Sequence, residues 1–432
     1  MCFLRDQEQY LLRHSSMTRS DRFEHALELY SDEFINSFKI NKNLLCDVHK
    51  NNNNQLILDA LQEINIDEVT NFFTHIRKIY FYWINASLST SLEYCKSLLT
   101  EYKLLNFTNT LENELVFRCR PSESFISHWD MFHIPFNKRF LIGNQRYSLT
   151  GQPLLYFSTS PYGAYKELGT YNDLRISSFM LKDNHKLNIF ENENKFEQLI
   201  IENVDFNSDF EKFTDNLLNE MINYDIIHDK NQLIQMFYLL ILSSCCSFPK
   251  RNVTKDFKDT KFIEEYVLPQ VLTIVLKEKS DCHGIKYTST KSYVDFFKDE
   301  ENEIRTILYS NYCIFTNYKY HDKTKLKDVY DRDLYKKFII SNPINFNDDI
   351  NEYLYKIDPA LNLINSINEL DTISSHYKSS SIALGTSLKL LNKFNLTIDE
   401  KELVIKKFIN LHIVFIRNIL LNIKDFKEVN YE

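Results

Sequence analysis

Three side chains with the types needed for phosphate and sugar chemistry lie within one short stretch of the sequence: Arg146, Tyr156 and Glu167. An arginine guanidinium grips phosphate oxygens with paired hydrogen bonds, and an aromatic ring stacks on a base or contacts a ribose. A carboxylate stabilises positive charge that develops in a reaction. We therefore expect the chemistry here, although an ordinary ion pair between Arg146 and Glu167 is an open alternative.

The same stretch, 117–169, holds much of the chain's turn-forming chemistry. The protein has only 6 Gly and 8 Pro. Half or more of each type fall in this stretch, namely Gly143, Gly151, Gly163, Gly169, Pro121, Pro135, Pro153 and Pro161. Glycine permits sharp turns and close approaches, and proline presets turns, so backbone geometry is tightly specified in this stretch.

Short strands and helices are predicted to carry these side chains. Strand-like runs occupy 114–120, 154–160, 176–190, 284–290 and 311–318, and residues 161–169 form one or two helical turns that end at Gly169. An apolar helix is predicted over 232–246 and a second over 261–278, where Pro269 either kinks the helix or starts its second half. Together they predict an α+β fold.

Helical regions flank this centre. Apolar residues recur at helical spacing near the start, as Phe23, Leu27, Tyr30, Phe34 and Phe38, and near the end, as Leu403, Phe408, Leu411, Phe415, Ile419 and Ile423. We therefore expect a helical N-terminal region over 1–112, a catalytic domain over 113–345 and a helical C-terminal region over 346–432. Neither junction has a Gly/Ser-rich linker, which favours flanks packed on the central domain.

Composition limits the partners. The formal charge of -8 argues against nucleic acid as the main partner, although basic side chains outnumber acidic ones between Phe117 and Tyr147. No apolar run is long enough for a membrane span, and the N-terminus lacks a secretion signal. The 8 cysteines show no CxxC pairing, so we expect reduced thiols, a cytoplasmic protein and no bound metal.

At this point the sequence resembles the RES-domain family, named for Arg, Glu and Ser. The family pattern is matched by Arg146-Tyr147, by Gly151 to Tyr156 as G-x-P-x-x-Y, by Glu167 and by Ser289 on a late strand. Supporting matches are FRCR at 117–120, MFHIPF at 131–136, EEYVLPQVL at 264–272 and GIKYTST at 284–290. The resemblance covers roughly 113–345, the central domain, and neither flank.

The resemblance implies an ADP-ribosyltransferase-like mixed or antiparallel sheet and an enzyme that consumes NAD by cleaving the nicotinamide–ribose bond, as a toxin or defence effector. It implies Arg146, Glu167 and Ser289 as catalytic residues. NAD itself would be held by Arg146, Tyr147, Tyr156 and Ser289. Phosphorolysis, with inorganic phosphate as co-substrate, and hydrolysis both stay open. An antitoxin or other regulatory protein is the expected partner, and a homo-oligomer stays open.

Several alternatives remain at this stage. Thr288 and Thr290 flank Ser289, and a shift of one residue would bring a different hydroxyl to the site. Asn144-Gln145 stands where family members often have a glycine before the arginine, which predicts a stiffer or differently shaped loop. His133 is interpreted as a packed histidine rather than a base. A protein mono-ADP-ribosyltransferase and a non-catalytic interaction scaffold are the competing functions.

Overall fold

The structure is a computed structural model that describes residues 22–43, 52–112, 114–124, 126–159, 161–168, 173–182, 184–193, 229–248, 250, 262–290, 310–319 and 328–345. The predicted C-terminal helical region, 346–432, lies outside the described residues.

In the described part of the chain, four helices precede the sheet: α1 (Phe23–Asn41), α2 (Asn52–Glu63), α3 (Ile66–Ile84) and α4 (Leu88–Glu101). The apolar residues predicted to face inward on α1 are all buried. Helix α3 begins where the Asn65 side chain accepts a hydrogen bond from the Asp67 backbone N–H at 2.9 Å. The described chain therefore starts with amphipathic helices that need a partner surface.

That surface is a mixed sheet. Its strands are β1 (Thr108–Leu111), β2 (Val116–Pro121), β3 (Leu155–Ser158), β4 (Leu174–Leu181), β5 (Leu187–Asn192), β6 (Gly284–Thr288), β7 (Ser310–Ile314), β8 (Phe338–Ile340) and β9 (Ile344–Asn345). The strand order is β1-β5-β6-β7-β3-β2-β4-β8, with β9 also paired to β4. The β5–β6 pair is parallel and the other pairs are antiparallel.

Further helices lie between the strands: α5 (His128–Met131), α6 (Pro161–Leu168), α7 (Lys230–Cys246), α8 (Val267–Lys277) and α9 (Arg332–Tyr335). Helix α7 is buried on nearly all sides after its first turn, as its uniformly apolar sequence predicts. Helix α6 packs on β2, β3 and β4. These positions put the end of α6 over the middle of the sheet.

The two faces of the sheet pack into different cores. One face joins the N-terminal helices, α7 and α8, and contributes Phe190, Ile285, Tyr287 and Cys313 to their core. The other face forms a second core with Phe157, Tyr312 and Ile314. Because neighbouring strand residues point to opposite faces, Tyr312 and Cys313 enter different cores. We call the first of these the helix-covered face.

The predicted α+β class is confirmed, and the strands predicted near 114–120, 154–160, 284–290 and 311–318 are present with slightly different ends. Thr108–Leu111 was predicted within the helical N-terminal region and is instead a strand, because it pairs along β5 at the sheet edge. The run 176–190 falls on two strands, β4, which ends at Leu181, and β5, which begins at Leu187.

Pro269 does not kink α8. The helix begins at Val267 after a 3₁₀ turn, Glu264–Tyr266, which places Pro269 in its first helical turn. The absent N–H of a proline is tolerated in the first turn, where backbone donors have no partner within the helix. A helix is therefore present within the predicted range 261–278, but it begins at Val267, later than predicted.

Among the described helices, none has the length and apolar character required for a membrane span. The described cysteines are free thiols with buried side chains: Cys95, Cys119, Cys245, Cys246, Cys282 and Cys313. Within the described ranges, no group of three or more His, Cys, Asp or Glu side chains is placed to hold a metal ion.

Candidate functional site

Glu167 meets the sheet through two hydrogen bonds to one carboxylate oxygen. It lies near the end of α6, half-buried, and its Oε1 accepts from Ser289 Oγ at 2.5 Å and from Asn311 Nδ2 at 2.6 Å. Ser289 directly follows β6 and Asn311 is on β7, and both side chains are buried. Donors from two neighbouring strands therefore fix the rotation of the Glu167 carboxylate.

A row of side chains crosses the helix-covered face beside Glu167. Asn192, Tyr287, Asn311 and Ser158 lie in register on β5, β6, β7 and β3. Residues opposite one another in a sheet share a face, so these four form a continuous, largely polar strip. All four are buried, and Asn311 connects this strip to the carboxylate of Glu167.

Arg146 approaches the same region from the loop after the 3₁₀ segment Phe136–Leu141. Its Nη1 donates to the Cys246 backbone carbonyl at 2.9 Å, at the C-terminal end of α7. Its Nη2 donates to Thr290 Oγ1 at 3.2 Å, and the guanidinium carbon lies 4.7 Å from the centre of the Tyr266 ring. In the part of the chain that the structure describes, every one of these partners of Arg146 is neutral.

The loop geometry that presents Arg146 depends on one glycine. Gly151 has φ of +79°, in the left-handed region that side chains rarely adopt. Its backbone N–H donates to the Ile142 carbonyl at 3.3 Å, which closes the loop around Arg146. The predicted need for glycine in this stretch is therefore met at Gly151.

Tyr147 and Tyr287 form a ring pair within electrostatic reach of the site's charged residues. The rings of Tyr147 and Tyr287 are 4.2 Å apart between centroids, and the Tyr147 hydroxyl accepts from Asn192 Nδ2 at 3.0 Å. Burial raises the pKa of Tyr287 well above its usual value. The carboxylate of Glu167 raises the same pKa further and the charge of Arg146 lowers it, so Tyr287 lies within electrostatic reach of both.

The two aromatic residues predicted to hold NAD, Tyr147 and Tyr156, pack within the helix-covered face beside the site. Tyr147 has no exposed surface, so in this structure it packs against Tyr287 and does not present a ring face to a ligand. Tyr156 lies on β3 on the same face as Ser158, opposite Cys313. Burial raises the pKa of Tyr156 well above its usual value, which keeps its hydroxyl protonated next to Cys313 and Ser148.

The predicted site residues thus divide into two linked groups. Glu167 binds Ser289, and Arg146 binds Thr290, the next residue along the chain. Within the described residues, the contacts of Arg146 do not include the Glu167 carboxylate, so the structure does not support the ordinary ion-pair interpretation. Of the three hydroxyls considered at the end of β6, those of Thr288, Ser289 and Thr290, that of Ser289 binds Glu167.

A buried ion pair holds the site strands together from the opposite face. Lys286 Nζ lies 3.2 Å from Glu193 Oε2, and the other oxygen of Glu193 accepts a hydrogen bond from Ser310 Oγ. Burial lowers the pKa of Lys286, but Glu193 acting together with Tyr312, Glu191 and Glu114 outweighs burial and raises that pKa well above its usual value. Strands β5, β6 and β7 are therefore tied together directly behind Tyr287 and Asn311.

His133 is a packed histidine, as expected. Its Nδ1 donates to the Ile134 carbonyl at 2.7 Å and its Nε2 accepts from the Asp331 backbone N–H at 2.9 Å. Both ring nitrogens are used, and this pattern requires the neutral ring. Burial lowers the pKa of His133 to about 4. The imidazole therefore joins the loop to the segment before α9 and has no nitrogen left for substrate.

Comparison with known proteins gives one similarity to report. A stretch of 233 residues is 28% identical to the putative toxin YopC of Bacillus subtilis (strain 168). The match covers 53% of this chain and 45% of that protein, so it spans about half the length of each. No protein-family model matches the chain, and no solved structure matches it. The resemblance to the RES-domain family therefore stays a prediction.

Sequence reasoning missed three residues of the site. Tyr287 could have been found, because it lies two positions before Ser289, and strand alternation places them on one face. Asn311 carried no such signal, since its significance comes from Glu167, 144 positions away. Gln270 lay within the EEYVLPQVL match but was given no role, since its contacts are with loop residues more than a hundred positions away. Gln270, on α8, donates to the loop that carries Arg146.

Proposed function

We propose that the protein cleaves the nicotinamide–ribose bond of NAD and acts as a toxin or defence effector that depletes NAD in the cytoplasm. The observation that carries this proposal is the Glu167 carboxylate, which Ser289 and Asn311 hold by hydrogen bonds. Tyr287 lies in the same cluster, and the charges of both Glu167 and Arg146 affect its pKa. A fixed anion and a guanidinium with neutral partners suit a substrate that has phosphates and develops positive charge.

Glu167 supplies the electrostatic part of the reaction. When the bond between nicotinamide nitrogen and ribose C1′ breaks, the electron pair leaves with neutral nicotinamide and the ribose becomes oxocarbenium-like. A carboxylate whose orientation is already set stabilises that charge without having to reorganise. Ser289 and Asn311 both donate to Oε1 and so hold the carboxylate in place while the charge develops.

Arg146 supplies the anion contact. Its guanidinium is held by the Cys246 carbonyl, by Thr290 and by the Tyr266 ring, none of which neutralises its charge. An arginine in this state suits the pyrophosphate of NAD, which offers oxygens for paired hydrogen bonds. The polar strip beside Glu167 would contact the nicotinamide ribose.

The toxin part of the proposal rests on two similarities. The matched motifs resemble those of the RES-domain family, and the printed name of the similar Bacillus subtilis protein describes a putative toxin. An ADP-ribosyltransferase-like arrangement of the mixed sheet belongs to the same proposal. So does a regulatory protein or antitoxin as partner, because a cell must restrain an enzyme that destroys NAD.

Incubation of the purified protein with NAD, with and without inorganic phosphate, tests this function through product identity. Free nicotinamide with ADP-ribose means hydrolysis, and free nicotinamide with ADP-ribose 1-phosphate means phosphorolysis. A labelled protein means mono-ADP-ribosyl transfer, the competing activity. If the protein is folded and NAD stays intact in every reaction, the proposal is contradicted. The non-catalytic interaction scaffold is then the remaining function.

A further inference from the structure

Gln270 binds the loop that carries Arg146 at three points. Its Nε2 donates to Asn144 Oδ1 at 2.6 Å, to the Gln145 carbonyl at 2.9 Å and to the Ser148 carbonyl at 3.2 Å, with one of its two hydrogens shared between two of these acceptors. These acceptors lie on both sides of Arg146 in the sequence. A single buried side-chain nitrogen on α8 thus fixes the loop immediately before and after the arginine.

The direction of these hydrogen bonds is unambiguous. The Gln145 and Ser148 partners are backbone carbonyls, which only accept, so the Gln270 atom facing them must be the amide nitrogen. Asn144 must then present its oxygen to the same nitrogen. The amide orientations on both sides are therefore set by the backbone and do not depend on an arbitrary choice.

The residue that precedes α8 contacts Arg146 directly. Tyr266, whose ring lies under the guanidinium, immediately precedes α8 and stands four residues before Gln270. Residues four apart lie on the same side of a helix. The start of α8 therefore supports the arginine in two ways, with Tyr266 under its guanidinium and Gln270 bound to the loop residues on either side of it.

We propose that Gln270 is a positioning residue for Arg146, with Asn144 as its main partner on the loop. This assigns a role to Asn144, which with Gln145 stands where the family often has a glycine before its arginine. The inference rests on the proposed function for its substrate, since it predicts that a loosened loop weakens the grip on the pyrophosphate of NAD.

Steady-state kinetics of Gln270→Ala test the inference first. The Michaelis constant for NAD is expected to rise about 10-fold or more with kcat changed by less than about threefold, because the loop binds phosphate and does not take part in bond cleavage. If Gln270→Ala folds poorly, Asn144→Ala takes its place as the test. Asn144 is a half-buried loop residue, and its replacement should also raise the Michaelis constant for NAD.

Thr273→Val is the matched control. Thr273 is buried on the same helix, and among the described residues its hydroxyl donates only to the Pro269 carbonyl of that helix, at 2.8 Å. The control should therefore leave both kinetic constants unchanged. A rise in the Michaelis constant equal to that of Gln270→Ala would mean that α8 tolerates no change of this kind, and would overturn the specific role of Gln270.

A double-mutant cycle separates positioning from general stability. In an Arg146→Lys background, where the paired grip on phosphate is already lost, Gln270→Ala is expected to cost less than about threefold further. An equal cost in both backgrounds would show that Gln270 acts independently of the guanidinium and would contradict the inference.

Hydrogen exchange decides the structural part without any substrate. The backbone amides of 144–148 should exchange about 10-fold faster in Gln270→Ala than in Thr273→Val. Unchanged exchange would mean that Gln270 does not hold the loop. If the wild-type protein leaves NAD intact, the proposed function is wrong, and the exchange measurement still decides whether Gln270 holds the loop.

Discussion

Replacing Glu167 by glutamine removes a charge from the site and leaves its shape nearly unchanged. Glutamine keeps an oxygen that can accept from Ser289 Oγ and Asn311 Nδ2, which are 2.5 and 2.6 Å from Glu167 Oε1. The variant should therefore fold and bind NAD. What it lacks is the negative charge that stabilises the oxocarbenium-like ribose.

The size of the effect follows from the electrostatics. At a separation of about 5 Å and an effective dielectric constant of about 20, a carboxylate stabilises a unit positive charge by about 3 kcal/mol. That energy corresponds to a reduction in kcat of roughly 100- to 300-fold. Nicotinamide release, measured under saturating NAD, is the direct readout.

Glu114→Gln is the matched control for this variant. The Glu114 carboxylate also binds a side chain of β7, accepting from the Tyr312 hydroxyl at 2.8 Å, but Tyr312 points to the opposite face from Asn311. Its replacement should change kcat by less than about threefold. If Glu167→Gln kept kcat within that same range, or if both variants lost it equally, the electrostatic role assigned to Glu167 would be refuted.

Three further outcomes follow from the same contacts. Arg146→Lys should raise the Michaelis constant for NAD about 10- to 100-fold because lysine cannot form paired hydrogen bonds to phosphate; an unchanged constant in NAD titrations would place the pyrophosphate elsewhere. Asn311→Ala should lower kcat about 10-fold or more in the nicotinamide-release assay, because it removes one of the hydrogen bonds that hold the Glu167 carboxylate. An unchanged kcat would show that Asn311 is not needed to hold it. The third concerns His133, whose pKa is lowered to about 4 in the folded protein, so the unfolded chain binds more protons between that value and about 6.5. Acidification across this window should cost about 3 kcal/mol in the wild type, and chemical denaturation of His133→Gln over the same pH range should lack that contribution.

The sequence predicted the site best where a local pattern marks it. Glu167 is found near the end of α6, a helix whose existence follows from a proline start and a glycine after its end. Ser289 was chosen over two neighbouring threonines, and alternation along the strand is what brings its hydroxyl to Glu167. Strands of the site were predictable because their apolar runs are short and bounded by turns.

The remaining features depend on pairing between distant segments. Thr108–Leu111 has no strong strand pattern and becomes a strand because β5 offers it an edge. Asn311 could not be recognised in its own neighbourhood, since its significance comes from Glu167, which precedes it by 144 positions. Likewise, the support of Arg146 by Tyr266 and Gln270 arises only when α8 packs beside the loop.

A crystal structure of the Glu167→Gln protein with bound NAD tests the central claim most directly, because the variant should bind the dinucleotide without cleaving it. The account predicts the nicotinamide ribose next to residue 167 and the polar strip of Asn192, Tyr287 and Asn311, with the pyrophosphate at Arg146. NAD bound on another surface, or no bound NAD at saturating concentration, would contradict it.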